Sequence, residues 1–158
     1  MREIANGISA PRHILKLCGS DETLRAELPD RWEPQPGNYF MIATTACDDA
    51  KPLPDGYELQ VHRSGAISRV CILAPNGDLA ANGCAAETPD AFVYDRIETA
   101  PDHRRRGLGL AVMAALGTAR RSQAAPQLLV ATEEGRALYA RLGWTLLTPV
   151  AAAAIPAH

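Results

Sequence analysis

Residues 97–109 read Ile97-Glu98-Thr99-Ala100-Pro101-Asp102-His103-Arg104-Arg105-Arg106-Gly107-Leu108-Gly109. Immediately upstream, Ala91-Phe92-Val93-Tyr94-Asp95-Arg96-Ile97-Glu98-Thr99 is rich in aromatic and β-branched residues and reads as a strand. Downstream the period changes. From Gly107 onward, Leu110, Val112, Met113, Leu116 and Ala119 recur at helical spacing, and the pattern ends in Arg120-Arg121. A strand therefore turns into a helix through an arginine–glycine corner. A helix start offers unpaired backbone N–H groups and the positive end of the dipole. Glycine lets a bulky anion approach the backbone, and guanidinium groups bind phosphate in bidentate fashion. The corner is an anion site, and a pyrophosphate suits it best. It is not a P-loop, because G-x-x-x-x-G-K-[ST] is missing. Nor is it a dinucleotide fingerprint, because Val112 stands where the third glycine belongs.

Working outward, the preceding segment predicts a meander. Tyr57 to His62 alternates apolar and polar residues, Ile67 to Leu73 is a second strand, and Leu79 to Ala86 is a third. Asn76-Gly77 makes the turn between the last two. On this count residues 91–99 form the fourth strand. By strand alternation Asp95 and Glu98 point to opposite faces. After the helix, Leu128 to Ala131 is a fifth strand. A last helix runs from about Glu133 through Leu142 to a Gly143 cap, and Trp144 to Leu147 is a final strand. Residues 151–158 read as a frayed tail.

The first fifty residues say less. Ser20-Asp21-Glu22-Thr23 opens a helix that stops near Pro29. Residues 34–38 read as a turn, Tyr39 to Thr44 as a short buried strand, and residues 48–56 as a loop separating this segment from the body.

Composition sets the class. The 158 residues are 47% apolar and 22% charged, as in a globular chain with a real core. A net charge of -2 argues against a dedicated nucleic-acid binder. The histidines and cysteines lack metal-ligand or C-x-x-C spacing, so no metal is expected. No secretory signal or membrane-length apolar run is visible, and a reducing cytoplasm is the expected location.

Arg104-Arg105-Arg106-Gly107-Leu108-Gly109 resembles the Q/R-x-x-G-x-G/A signature of the GCN5-related N-acetyltransferases. The strand-then-proline approach through Ile97 to Pro101 is similar to theirs. So is Leu138-Tyr139-Ala140-Arg141-Leu142-Gly143-Trp144, which looks like the family's L-Y-x-x-L-G-F/W segment. The resemblance implies an α/β (α+β) fold whose mixed, mostly antiparallel sheet splays between strands four and five and is flanked by helices. It implies a single domain over 1–158, with a divergent segment 1–50 and an acetyl-CoA-binding core 57–148.

Roles follow from that resemblance. Arg104 takes the Q/R position, and the turn Arg105, Arg106, Gly107, Leu108 and Gly109 holds the coenzyme phosphates, largely through backbone amides. Ile97 and Thr99 pair their backbones with the pantetheine arm. Thr132 stands where relatives often have Asn, and Gly135 where Ala is common. Tyr139 lies near the thiol and protonates the leaving thiolate, which suits a neutral phenol. Glu98 is the candidate general base, competing with a plain surface charge or a salt bridge to Arg96 or Arg104. The activity implied is transfer of acetyl from acetyl-CoA to a primary amine, of a small molecule, by direct attack. A non-catalytic acyl-CoA sensor and a protein N-terminal or lysine acetyltransferase are the alternatives. A homodimer is left open. The family's helices between its first two strands are missing, since only Arg63 to Ala66 separates them here.

Overall fold

The computed structural model describes residues 1–43 and 52–157. Residues 48–51 of the loop at 48–56, and Thr44 of the strand before it, lie outside the described residues. The elements, in order, are helix α1 (Arg2–Gly7), strand β1 (Ile14–Cys18), α2 (Asp21–Glu27), β2 (Glu33–Ala43), β3 (Glu58–Ser64), β4 (Ile67–Leu73), β5 (Leu79–Glu87) and β6 (Phe92–Thr99). A 3-10 turn (Pro101–His103), α3 (Leu108–Thr118), β7 (Gln127–Ala131), α4 (Glu133–Arg141) and β8 (Thr145–Ala154) complete the chain. The eight strands order as β1-β8-β2-β7-β6-β5-β4-β3. This is the mixed, helix-flanked sheet that the sequence predicts. The chain divides into two compact units, Met1–Met41 with Val130–His158, and Ile42–Leu129.

In the Ile42–Leu129 unit, β3 to β6 form the expected antiparallel meander. Gly77 takes φ +86 in the β4–β5 turn, which explains the Asn-Gly pair. β7 pairs with β6 in parallel over just two rungs, Phe92↔Gln127 and Val93↔Leu128. Beyond them the pairing stops, and β6 runs on to Thr99. One face of β4 to β6 packs on α3. Val70, Ile72, Ala81, Ala85, Phe92 and Tyr94 are buried with Leu108, Val112, Met113 and Leu116 of the helix.

Alternation fails in β5, where the register to β4 shifts between Ile72 and Leu73 and adjacent Ala80 and Ala81 are both buried, and again in β6. Cys84 pairs with Asp95 and Asn82 with Glu98, so Gly83 faces two residues, Arg96 and Ile97. Arg96 has φ +52, and this is a β-bulge. The extra residue returns Ile97 and Thr99 to the face that holds Phe92 and Tyr94. Asp95 and Glu98 therefore share the other face, contrary to the expectation from strict alternation.

The Met1–Met41/Val130–His158 unit departs from the sequence reading in three ways. Residues 151–154, expected to open a frayed tail over 151–158, are strand. β8 continues to Ala154 and pairs antiparallel with β1, from Ile14↔Ala154 to Cys18↔Val150. Ala151, Ala153 and Ile155 bury against Ala5, Leu24 and Trp32. Alanine carries little strand signal of its own, so only the partner makes this a strand. Second, β2 begins at Glu33 and runs through Pro34 and Pro36, where a turn is expected. That half is exposed, where a missing N–H costs least. Third, α1 and β1 have no counterpart in the sequence reading. The α2 helix matches it, with Ser20 Oγ accepting from Thr23 N–H at its cap.

Candidate functional site

The arginine–glycine corner lies in the Ile42–Leu129 unit. Arg105 takes φ +60 and Gly107 φ +78, while Arg106 between them is not in the positive region. Alternating handedness turns successive backbone N–H groups toward one concavity, a nest for an anion. Gly107 is the N-cap of α3 and brings no side chain to cap it. The first-turn N–H groups thus have no competitor from their own cap. A Cβ built on Gly107 meets nothing within 4 Å, so the glycine serves backbone handedness and open access rather than packing. Leu108, 1% exposed, anchors the helix start. A cavity of about 400 Å³ opens here, lined by Arg105, Arg106 and Gly107 together with the apolar Pro52, Leu53, Leu110 and Ala111. Cations and free amides beside an apolar wall fit a phosphorylated ligand with an apolar part.

The strand end meets the corner through Thr99. Arg104 Nε donates to the Thr99 carbonyl at 3.4 Å, and Arg104 N–H to Pro101 O at 3.3 Å. Thr99 Oγ1 lies 3.5 Å from where a Gly109 Cβ would sit. The structure thus brings Thr99, Arg104 and Gly109 together. Ile97 packs on the α3 side, and the bulge at Arg96–Ile97 frees backbone groups from the β5 ladder. Glu98 is exposed and opposite Asn82. It forms no ion pair among the described residues, since Arg96 pairs with Asp95 and Arg104 with the Thr99 carbonyl. Cys84, on the same face, has its thiol pKa raised by burial and then by the Asp95 carboxylate, so it is a poor nucleophile.

Thr132, Gly135 and Tyr139 belong to the other unit. Thr132 is the N-cap of α4, its Oγ1 accepting from Gly135 N–H at 3.2 Å. Gly135 leaves room beneath the Tyr139 ring, whose Cε2 is 3.3 Å from the built Cβ. Gly143 exits the helix at φ +84, and Trp144 N–H returns to Tyr139 O at 3.0 Å. The Trp144 ring then packs on Tyr139, centroids 5.9 Å apart. Burial raises the Tyr139 pKa, which keeps the phenol protonated.

The sequence reading missed two groups. Tyr57 and His103 stand beside the corner, with Tyr57 Oη 2.8 Å from His103 Nδ1 and 3.2 Å from Arg106 Nη1. In the other unit, Tyr39 Oη donates to Glu133 and the Arg136 guanidinium lies 4.5 Å above the Tyr39 ring. No motif marks either group, because each joins residues distant in the chain.

The family model of the acetyltransferase (GNAT) domain matches residues 66–146, and the chain belongs to that family. Solved structures share the fold at low identity. A GCN5-related N-acetyltransferase from Kribbella flavida aligns with TM-score 0.63 and 16% identity, over 92% of this chain and 68% of that one. A tandem GNAT protein from the clavulanic acid biosynthesis pathway gives 0.69 and 13%, over 99% and 68%. A functionally unknown conserved protein from Staphylococcus epidermidis gives 0.69 and 13%, over 92% and 73%. No curated protein matches the chain. Acyl transfer is the general chemistry of the family. Among the described residues, no helix is long and apolar enough to cross a membrane.

Proposed function

We propose that this chain is an N-acetyltransferase that uses acetyl-CoA and acetylates the primary amine of a small molecule by direct attack. The observation that carries the reading is the corner itself, where positive φ at Arg105 and Gly107 builds a nest at an uncapped helix start. The coenzyme would supply the acetyl group as a thioester. Arg104, Arg105, Arg106 and the amides of Gly107, Leu108 and Gly109 bind its phosphates. Backbone groups of β6, from the bulge to Thr99, bind the pantetheine arm and hold the oxyanion. Thr132 Oγ, already an acceptor at the α4 cap, keeps its proton to donate to the same arm. Glu98 takes the ammonium proton of the acceptor, directly or through water. Tyr139 holds a proton at Oη for the departing sulfur, a role carried from the family motif and supported by its raised pKa. Much of the acceleration is positioning.

Calorimetry with coenzyme A on the wild-type chain and on Gly107→Val tests the reading. Coenzyme A binding that is lost in Gly107→Val supports it; normal affinity in the variant would sink the corner assignment. Thiol release from acetyl-CoA over a panel of small amines and peptides then identifies the acceptor class. Tight binding with no release from any amine makes the chain an acyl-CoA sensor instead.

A further inference from the structure

We infer that Tyr57 and His103 are positioning residues that hold Arg106 at the mouth of the anion corner through a one-way hydrogen-bond chain, Arg106 to Tyr57 to His103. The inference rests on the coenzyme reading of that corner and deepens it. A guanidinium can only donate, so Tyr57 Oη accepts from Arg106 Nη1 at 3.2 Å. The phenol has one proton, and in this chain it goes to His103 Nδ1, which lies 2.8 Å away. Nδ1 is then the bare nitrogen, and the imidazole proton sits on Nε2. With a proton on Nδ1 instead, Tyr57 would face two donors and its own proton would lose this partner.

Both ends of the chain are built stiffly. His103 closes the 3-10 turn that Pro101 begins, with its N–H on Ala100 O at 2.9 Å. Tyr57 leaves a turn in which its N–H bonds Pro54 O at 3.2 Å. That turn needs glycine. Gly56 has φ +80, and a Cβ there would lie 2.9 Å from Pro75 Cγ. The rings of Tyr57 and His103 meet edge to face at 5.7 Å and 83°. Arg106 is itself exposed and would otherwise sample many rotamers. Holding it before the ligand arrives removes that ordering cost from binding, an effect of about three- to tenfold in affinity.

The test uses four single variants and one double variant of this chain. Tyr57→Phe keeps the ring and removes both bonds; the dissociation constant for coenzyme A should rise about three- to tenfold. The change should fall on KM for acetyl-CoA rather than on kcat. In His103→Gln an amide oxygen still accepts the Tyr57 proton, and affinity should stay within about twofold of wild type. In His103→Lys only donors remain, and affinity should fall as in Tyr57→Phe. In Arg106→Ala the Tyr57→Phe change should have no further effect. Unaltered affinity in Tyr57→Phe, or equal affinities in His103→Gln and His103→Lys, would overturn the inference. Nitrogen NMR of His103 in the ligand-free protein reads the chain without any coenzyme. A bare Nδ1 with a protonated Nε2 is expected, and a protonated Nδ1 refutes the chain even if coenzyme A binds. Should the wild type fail to bind coenzyme A, the coenzyme reading falls, and inorganic pyrophosphate titrated into the same variants decides the role of the chain.

Discussion

Replacing Gly83 with alanine should destabilise the protein by about 1–2 kcal/mol, and the structure says where the cost arises. A Cβ on Gly83 would sit 2.5 Å from Ile97 Cδ1, 2.7 Å from Val112 Cγ1 and 3.5 Å from Leu116 Cδ1. Carbon atoms prefer about 3.5–4.0 Å, so the first two contacts overlap by roughly 1 Å. Ile97 Cδ1 is the end of a side chain and can swing. Val112 is β-branched, lies on a helix and is 0% exposed, so its rotamer is fixed and relief requires α3 to move off β5. Overpacking of this kind costs about 1–3 kcal/mol. Two contacts under 3 Å place the cost in the upper part of that range, about 2–3 kcal/mol, and removing a strand glycine returns up to about 1 kcal/mol, which leaves a net loss of about 1–2 kcal/mol. At this chain length the melting temperature should fall by about 2–8 °C. Scanning calorimetry at neutral pH measures it. The cause is checked by a cycle with Val112→Ala, which removes the clashing methyl; the double variant should be at least 1 kcal/mol more stable than additivity allows. A Gly83→Ala protein as stable as wild type, or an additive cycle, would refute the packing argument. The same clash pushes on Ile97, so coenzyme A affinity should weaken together with stability.

Arg105→Gly relieves a left-handed residue that costs about 1–2 kcal/mol, against about 0.5–1 kcal/mol of added glycine entropy. Its melting temperature should rise slightly while coenzyme A affinity falls; a lower melting temperature would mean that φ +60 at Arg105 is not strained. Glu87 ties the end of α3 to the meander, accepting from Arg121 N–H at 2.6 Å, Ser122 N–H at 3.0 Å and Arg63 Nη2 at 2.9 Å. Desolvation raises its pKa, but the Ser122 and Arg121 N–H groups and Arg63 outweigh it and leave the value below the ordinary 4.5. A lowered folded pKa means stability that is complete above pH 4.5 and lost as pH falls through the folded value. Glu87→Gln should cost about 1–3 kcal/mol at pH 7 and flatten the acid limb of a stability–pH curve; an unchanged limb would remove Glu87 as its source. Tyr139→Phe should lower kcat more than it weakens coenzyme binding in steady-state kinetics, and an unaltered kcat would exclude the phenol from the chemistry.

The parts of this protein that the sequence discloses are those built from neighbours in the chain. The anion corner needs only residues 104–109 and the helix that follows, so residue type and spacing reveal it. The Asn76-Gly77 turn and the period of α3 are local in the same way. The failures all depend on a distant partner. Ala151 to Ala154 is a strand because Ile14 to Leu17 lies beside it. Tyr57 meets His103 across 46 positions, and nothing near either residue foretells it. The bulge in β6 is an intermediate case. Phe92 and Tyr94 set one phase of alternation and Ile97 and Thr99 the other, and that slip is visible in the sequence to a reader who does not assume an unbroken strand. It matters because it decides which residues Glu98 keeps company with. Asn82, Cys84 and Asp95 share its face, whereas strict alternation turns Asp95 away. The two halves of the function therefore differ in legibility for a physical reason. In the proposed function the coenzyme phosphates are held by backbone groups of one local turn. The acceptor of that proposal would be held by side chains that register between strands assembles, and this face of β5 and β6 is the place to look for them.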